Sequence, residues 1–242
     1  MKDIMIFQRV EKKYRLSPGQ KAQLLCLIGH RLTPDVHGRS TISSLYLDTP
    51  DFRIIRNSID AKVYKEKLRL RAYGTPTMDD TVFLEIKKKY KGVVYKRRES
   101  MSLRQAMAYI DEGALPCDSQ IMREIDYAMR FYGHPRPAMQ ISYEREAYFD
   151  GDNPQLRITF DTAVRGRQTD LGLERGTQGE LLLADASILM EIKTNGAMPC
   201  YLAHALDECA ITPTHFSKYG TAYLRSTGRV AVHPQTVCRK EH

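Results

Sequence analysis

The chain has 242 residues, 42% of them hydrophobic, and its 37 lysines and arginines exceed its 29 aspartates and glutamates, giving a formal net charge of +8. These totals allow one barrel domain or two ordinary domains, and the charge favours a polyanionic partner such as nucleic acid, a phosphate chain, a nucleotide or anionic lipid. The five cysteines include no Cys-x-x-Cys pair, no apolar run has membrane-spanning length and the N-terminus lacks a signal-peptide core. We therefore expect a soluble, cytoplasmic chain with reduced thiols and neither a disulfide framework nor a zinc cluster.

Strands and short helices alternate along the first half of the chain. Ser17 and Pro18 indicate a helix start, because serine is favoured as the N-cap and proline at the first helical position. The sequence TVFLEIKKKYKGVVYKRRES has the two runs of a hairpin, with a turn near Lys91 and Gly92. In order, the predicted elements are a strand at 4–16, the helix from Ser17, a strand at 41–49, a helical turn near 50–57, a strand at 63–73 and the hairpin.

Two helices and further strands follow in the second half. The turn DGDNP, at 150–154, predicts a second hairpin. The elements predicted around it are helices at about 102–112 and 118–132, one or two strands in GELLLADASILMEIKT, and helices in PCYLAHALDECA and HFSKYGTAYLRS. No boundary is rich in Pro, Gly or Ser and no internal repeat occurs, so we expect one α+β domain over 1–228 and a poorly ordered tail over 229–242.

Cationic side chains follow the strand period. In KLRLRAYG the cations Lys67, Arg69 and Arg71 share one face, and Leu68 and Leu70 share the other, because side chains alternate along a strand. Taken alone this is an ordinary solvated strand face, but the pattern recurs on at least six strands. The charged residues placed on such faces are Arg9, Glu11, Lys13, Arg15, Glu85, Lys87, Lys96, Arg98, Arg145, Arg157, Asp161, Glu191 and Lys193.

The repeated charged faces predict an antiparallel, closed β-barrel with a basic polar lumen. Two like charges 4 Å apart repel by about 1 kcal/mol in water, so interleaved carboxylates and a bound polyanion are needed to offset the cations. If the sheet closes with its apolar faces outward under helices, the charged faces line a central channel. The alternative is a basic outer surface that binds nucleic acid, which predicts cations on loops and a helix, with aromatic stacking partners for single strands. The period-two placement favours the barrel.

Familiar nucleotide and hydrolase motifs are absent. The sequence contains no G-x-x-x-x-G-K-[ST], no strand-linked G-x-G-x-x-G, no H-E-x-x-H and no G-x-S-x-G. Phosphates must therefore be held by side chains rather than by a glycine-rich loop, and zinc or serine hydrolase chemistry is not indicated.

Eight segments occur in the order typical of one family, across about residues 8–225. They are RVEKKYRL, SSLYLDT, KLRLRAYG, FLEIKKKYKGVVYKRR, YEREAYF, LRITFDT, LMEIKTNGAMPCYLAHAL and HFSKYG. The chain thereby resembles the vacuolar transporter chaperone (VTC) domain, the polyphosphate polymerase branch of the triphosphate tunnel metalloenzymes. The resemblance implies an antiparallel barrel around a basic tunnel, and a divalent metal, Mg²⁺ or Mn²⁺, held by a glutamate.

The resemblance also implies roles for individual residues. Glu191 of MEIK would be the metal ligand, and Glu11 occupies one acid position of the first strand. The residues implied to hold reacting phosphates are Arg69, Arg71, Lys87, Lys96, Arg145, Arg157 and Lys218. The additional substrate contacts expected are Arg9, Lys13, Arg98, Lys193 and His215. Arginine forks suit paired phosphate oxygens, lysine is a compact charge, and carboxylates suit hard divalent ions.

Two positions depart from the pattern of relatives. Hydrolytic relatives typically carry Glu-x-Glu-x-Lys on the first strand, where this chain has Arg9 at one acid position and keeps Glu11 and Lys13. Fewer acids and more cations favour polymer binding and synthesis over hydrolysis. His215 stands where eukaryotic polymerases often have lysine, which would weaken a phosphate contact and make it pH-dependent.

The function expected from this resemblance is transfer of the terminal phosphoryl group of ATP to a polyphosphate or pyrophosphate acceptor. ADP would leave by one mouth of the tunnel, and the chain would thread toward the other. The alternatives are an inorganic or nucleoside triphosphatase, and a non-catalytic module that binds polyphosphate or inositol phosphates. No nucleic-acid partner is expected, and a membrane partner stays open.

Overall fold

The computed structural model describes residues 10–61, 63–91, 93–184 and 186–228, except the side chain of His37. Arg9, the first half of the predicted strand at 4–16, the turn residue Gly92 and the tail at 229–242 lie outside the described residues. No helix in these ranges is long and apolar enough to cross a membrane.

Ten strands and six α-helices are formed by the described residues. The helices are α1 (Pro18–Ile28), α2 (Arg53–Asp60), α3 (Leu103–Glu112), α4 (Gln120–Phe131), α5 (Cys200–Glu208) and α6 (Lys218–Ser226). The strands are β1 (Val10–Leu16), β2 (Leu32–Asp48), β3 (Tyr64–Tyr73), β4 (Thr81–Tyr90), β5 (Val93–Ser102), β6 (Arg136–Asp150), β7 (Arg157–Arg167), β8 (Glu180–Leu181), β9 (Ile188–Thr194) and β10 (Pro213–Thr214).

Local sequence signals explain most of these boundaries. Helix α1 begins as predicted, with a capping box. The Ser17 hydroxyl accepts a hydrogen bond from the backbone N–H of Gln20, and the Gln20 side-chain oxygen accepts one from the backbone N–H of Ser17. Strand β2 is longer than the predicted 41–49. Its first part contains Pro34 and Gly38, which argue against a strand, and the pairing with β6 shifts register between Pro34 and Arg39. The extra length therefore depends on a bulge that local sequence does not predict.

The strands form one antiparallel sheet in the order β10-β1-β9-β7-β6-β2-β3-β4-β5, with β8 paired to β7. The predicted closure of the barrel is not confirmed, because β5 and β10 end the hydrogen-bonded path within the described residues. The sheet nevertheless curls strongly. Lys87 Nζ on β4 lies 3.3 Å from Glu11 Oε2 on β1, although five strands separate β4 from β1 in the sheet. The charged side is therefore the concave face.

Helices pack on the convex face, as predicted. Helices α3 and α4 cover β2 to β5, where Leu68, Leu70 and Leu84 are fully buried. Helices α1 and α5 cover β1, β7 and β9 around Leu16 and Phe160. Each buried side chain of this size contributes about 2 kcal/mol. The leucines of KLRLRAYG thus belong to the core, and their cationic neighbours face the concave side.

Helix α6 departs from the expectation that all helices lie outside. Tyr219 and Tyr223 pack with inward-facing Tyr46, Ile141 and Val164 in a buried cluster on the concave side. The apolar stripe of α6 and the inward apolar positions of β6 and β7 cover each other. The concave face is therefore polar over only part of its area, whereas a polar lumen was expected throughout.

Candidate active site

The polar part of the concave face carries far more positive than negative charge. Strand register and side-chain contacts bring ten cations and four carboxylates together there, among the residues the structure describes. The cations are Lys13, Lys67, Arg69, Arg71, Lys87, Lys96, Arg98, Arg145, Lys193 and Lys218. The carboxylates are Glu11, Glu85, Asp161 and Glu191. This excess of six formal positive charges makes the face a strong anion-binding surface.

Glu85 is the centre of the cation group on β3, β4 and β5. Its carboxylate is fully buried, with Oε2 at 2.6 Å from Arg69 Nη2 and Oε1 at 2.6 Å from Lys96 Nζ and 2.7 Å from Arg98 Nη2. Burial alone would raise its pKa, but the facing cations, above all Arg69, outweigh burial and lower it. Glu85 is thus an ionised anchor that holds three cations in place.

Asp161 organises a second group between β6, β7 and α6. Its two oxygens accept from Arg145 Nε at 2.6 Å and Nη2 at 2.8 Å, and Lys218 Nζ also lies 2.6 Å from Oδ2. Burial opposes ionisation of Asp161, yet Lys218 and Arg145 lower its pKa overall. The Lys218 ammonium also lies over the ring of Tyr143, 4.3 Å from its centre.

Glu11 and Glu191 form a carboxylate pair on neighbouring strands. The Glu11 and Glu191 side chains lie within hydrogen-bond contact, and Glu191 Oε2 also lies 3.2 Å from Lys193 Nζ and 3.8 Å from Arg145 Nη2. Burial would raise the pKa of Glu191, but Lys193, Glu11 and Lys13 together bring it well below its usual range. No third carboxylate, histidine or cysteine joins this pair among the described residues.

Two inner cations have no carboxylate within 4.0 Å among the described residues. Arg71 is only 8% exposed, and its guanidinium donates at 3.3 Å to the hydroxyls of Ser44 and Tyr143. Lys67 donates at 2.9 Å to Ser217 Oγ, the N-cap of α6. Buried charge without a counterion is costly, and a bound anion would remove that cost.

The pKa values of Lys67 and Tyr46 are both shifted toward neutral pH. Burial lowers the pKa of Lys67 to about 8, and nearby Lys13 and Lys87 add to the effect. Burial would raise the pKa of Tyr46, but Arg69 and the other neighbouring cations bring it down to about 7. Neighbouring positive charge contributes to both shifts, although burial is the larger cause for Lys67.

Helix α6 is anchored through Asp48 at the end of β2. Asp48 Oδ1 accepts from the backbone N–H of Ile54, and Oδ2 accepts from the N–H of Ile55 and from the Tyr219 hydroxyl at 2.8 Å. The Tyr219 ring stacks on Tyr46, with centres 4.5 Å apart. One carboxylate therefore caps α2 and fixes the start of α6, which carries the cation next to Asp161.

The structure brings most of the sequence-predicted residues into this network, but two lie apart from it and a third is not described. Arg157 is at the outer end of β7, where its 46%-exposed side chain pairs with Asp35. His215 is exposed in the segment between β10 and α6. Arg9 lies outside the described residues. Predicted residues inside the network are Arg69, Arg71, Lys87, Lys96, Arg145, Lys218, Lys13, Arg98, Lys193, Glu191 and Glu11.

Neutral side chains in the network were missed by sequence reasoning. Tyr143 and Ser44 accept from Arg71, and the Tyr46 hydroxyl accepts from Arg69 at 3.3 Å. Parity places Tyr143 on the same face as Arg145. Strand parity could therefore have identified Tyr143, but a tyrosine on a strand belongs more often to the hydrophobic core than to a functional site.

The family model of the VTC domain matches residues 8–226. The chain belongs to the VTC domain family. All the site residues that the resemblance implies, except Arg9, lie both within this match and within the described residues. No curated protein matches the sequence.

Solved structures share the fold of this VTC domain. A candidate adenylyl cyclase from Hippeastrum with a dominant triphosphatase activity is 16% identical, with a TM-score of 0.56 over 92% of this chain and 97% of that chain. A candidate adenylate cyclase from Bacillus halodurans is 12% identical, with a TM-score of 0.53 over 87% and 95%. At such identities the likeness establishes the fold alone.

Proposed function

We propose that this VTC domain is a metal-dependent polyphosphate polymerase that transfers the terminal phosphoryl group of ATP to a growing phosphate chain. The observation that carries the proposal is that buried Arg71 and partly buried Lys67 lack a carboxylate partner within the described ranges. Both belong to the face with six excess positive charges, which also holds a carboxylate pair. A linear polyanion of closely spaced phosphates matches that charge distribution, and membership of the VTC family supports the same substrate class.

The phosphate contacts follow from the two cation groups. Arg69 and Arg71 would bind chain phosphates, as would Lys87 and Lys96 on the adjacent hairpin. Arg145 and Lys218 would hold phosphates near Asp161, which fixes both cations in position. Arg157, at the outer end of β7, would contact the part of the substrate farthest from the centre. Phosphoryl transfer depends mainly on such positioning and charge stabilisation.

The ionisation of the carboxylates favours a phosphate nucleophile over water. The attacking oxygen of a polyphosphate chain is already ionised at neutral pH, so it needs no general base. Water needs one, and an efficient base has a pKa near the working pH. Glu85, Asp161 and Glu191 all have lowered pKa values and hold cations. These inner carboxylates are therefore poor bases.

The carboxylate pair fits a divalent metal. Mg²⁺ and related ions bind through one or two carboxylates together with substrate phosphates, and Glu11 with Glu191 offers that donor set. Bound there, Mg²⁺ or Mn²⁺ would neutralise charge on the phosphate oxygens. In its absence Lys13 and Lys193 balance the pair. These two lysines would shift to phosphate oxygens when substrate binds.

The proposal extends to the bounds of the domain and to its location in the cell. We infer one domain over 1–228, in agreement with the extent of the family match. We also infer a cytoplasmic location, where the exposed free thiols of Cys26, Cys117 and Cys200 stay reduced.

The products of ATP turnover test the proposal. Purified protein incubated with ATP and Mn²⁺ is expected to form ADP and acid-labile polymer, and the polymer should disappear in Glu191→Gln. The matched control, Glu180→Gln, alters an exposed ion pair on β8 and should leave turnover unchanged. ADP with orthophosphate alone would reject the polymerase.

A triphosphatase is the second candidate, favoured by the activity of the Hippeastrum neighbour. It predicts orthophosphate as the first product and no polymer at any time. A non-catalytic polyphosphate or inositol-phosphate module predicts tight anion binding with no turnover, and Glu191→Gln would then leave affinity unchanged.

A further inference from the structure

The hairpin end of the concave face carries five lysines in direct cross-strand register. Lys67 on β3 lies opposite Lys87 on β4, which lies opposite Lys96 on β5. One step outward on the same face, Lys65 lies opposite Lys89. Neighbouring strands are about 4.8 Å apart, and residues two apart along a strand are separated by about 6.7 Å. We call these five residues the lysine ladder.

Like charges directly opposite each other destabilise a sheet unless something offsets them. In the inner row Lys87 pairs with Glu11 and Lys96 with Glu85. In the outer row neither Lys65 nor Lys89 makes an ion pair or side-chain hydrogen bond with any described residue. The outer row is thus a cation pair without a counterion.

The opposite face of the same strands is balanced. Lys88 follows Lys87 on β4 but points to the convex side, where its ammonium lies 3.4 Å from the buried carboxylate of Glu66. Glu66 in turn accepts from the hydroxyl of Tyr132 at 2.7 Å. The uncompensated charge is therefore confined to the concave side, in line with the proposed phosphate site.

We propose that Lys65 and Lys89 form an outer subsite for long polyphosphate chains, continuous with the reaction centre through Lys67 and Lys87. The inference rests on the proposed function and adds chain-length preference to it. A triphosphate held by the arginines would not extend two ladder rows outward. A longer chain would cover both rows, and its regularly spaced charges would offset the outer pair.

Other polyanions fit the ladder less well. Single-stranded nucleic acid needs aromatic rings on the binding face, but Tyr64, Tyr90 and Tyr95 alternate with the lysines and point to the other face. A lipid bilayer is flat, whereas the ladder continues a concave surface. A phosphate chain has no bases to stack on aromatic rings, and its flexibility allows it to follow a concave surface.

The test compares affinities for tripolyphosphate and for long-chain polyphosphate, without turnover. In the double variant Lys65→Gln/Lys89→Gln, the preference for the long chain over tripolyphosphate should fall about tenfold, because two exposed ion pairs with the outer part of the long chain are lost. The salt dependence of long-chain binding should also weaken by about one to two counterions. The control, Lys12→Gln/Arg39→Gln, removes two exposed cations from the convex side and should leave the preference unchanged.

Three outcomes would contradict the inference in distinguishable ways. An unchanged preference in the double variant, with normal tripolyphosphate binding, would overturn the outer subsite alone. An equal loss of affinity for single-stranded RNA or for anionic vesicles would replace the polyphosphate subsite with a general polyanion surface. Failure of the wild-type chain to bind either phosphate compound would overturn the proposed function, and the subsite with it.

Discussion

At the residue scale, a few shared carboxylates each pair with several cations, whereas other cations find no carboxylate in the described part of the chain. Glu85 and Asp161 hold five cations between them, and Lys67 and Arg71 have only neutral hydrogen-bond partners among the described residues. Strand parity predicted which of these side chains share a face. It did not predict which cations find a carboxylate, because that depends on the register between strands distant in sequence.

Binding of phosphate should be coupled to proton uptake by Lys67. Its pKa of about 8 means that part of the population is neutral in mildly alkaline solution, and a bound polyanion raises the pKa toward the ordinary value of 10.5. Affinity for tripolyphosphate should therefore fall as pH rises through about 8. Calorimetry in two buffers of different ionisation enthalpy measures the uptake.

The variant Lys67→Arg supplies the control for this coupling. Arginine keeps the charge and does not titrate in this range, so the pH dependence above about pH 8 should flatten. An unchanged pH profile in Lys67→Arg would assign the titration to another group. Tyr46, with a pKa near 7, would be the first to examine.

Replacing Thr159 with valine should stabilise the fold. The residue is fully buried opposite Glu191 on the inner face, and its hydroxyl has no hydrogen-bond partner in the part of the chain that the structure describes. Thr159→Val keeps the shape and removes the unsatisfied group, so the free energy of unfolding should rise by about 1 kcal/mol in urea titrations. Thr41→Val, which deletes a 2.7 Å bond to Glu144, should lower it instead. A loss of stability in Thr159→Val would contradict the expectation.

At the element scale, local signals predicted the helices and hairpins but not the position of α6. The serine cap at Ser17 and the alternation in β3 to β5 are short-range features, and the structure confirms them. The apolar stripe of α6 fits either face of the sheet. The contacts that decide its position, with Ile141 and Val164, involve strands more than 50 residues earlier in the sequence. Strand parity was moreover applied to the charged positions only, so it gave no information on the inward apolar residues.

The hydrogen bond between Tyr219 and Asp48 should account for much of the docking of α6. Tyr219→Phe removes a buried donor to a carboxylate, which should lower the free energy of unfolding by about 1.5 kcal/mol in urea. Tyr223→Phe is the matched control, because that buried tyrosine lies one turn later and no hydrogen bond of its hydroxyl is seen in the described residues. Equal effects of the two variants would refute the special role of the Asp48 contact.

At the scale of the whole molecule, four carboxylates on four strands counterbalance cations from six strands and a helix. The family and the general architecture could be predicted from sequence because ordered motifs and strand parity carry that information. Closure of the barrel could not. It depends on pairing between β5 and the strands at the opposite end of the sheet, for which the sequence provides no local signal.

Acid should destabilise the whole sheet. Because Glu85, Asp161 and Glu191 have lower pKa values in the folded than in the unfolded chain, they stabilise the fold above the unfolded values near 4. That contribution is lost as pH falls toward the folded values. Thermal denaturation should show a midpoint that is flat from about pH 7 to 5 and declines below about pH 4. A midpoint independent of pH down to about 3 would exclude this role.

The gap between the edge strands β5 and β10 of the described sheet has a topological consequence. A polymer inside a closed ring of strands can enter and leave only end first, through one of the two openings of the barrel. Among the described residues no backbone hydrogen bonds join β5 to β10, and the ion pair between Lys87 on β4 and Glu11 on β1 crosses the concave face one strand in from each edge. The described part of the sheet is therefore open along one side. A long anion on this face can therefore be laid in or lifted out sideways, and its release time need not grow with its length.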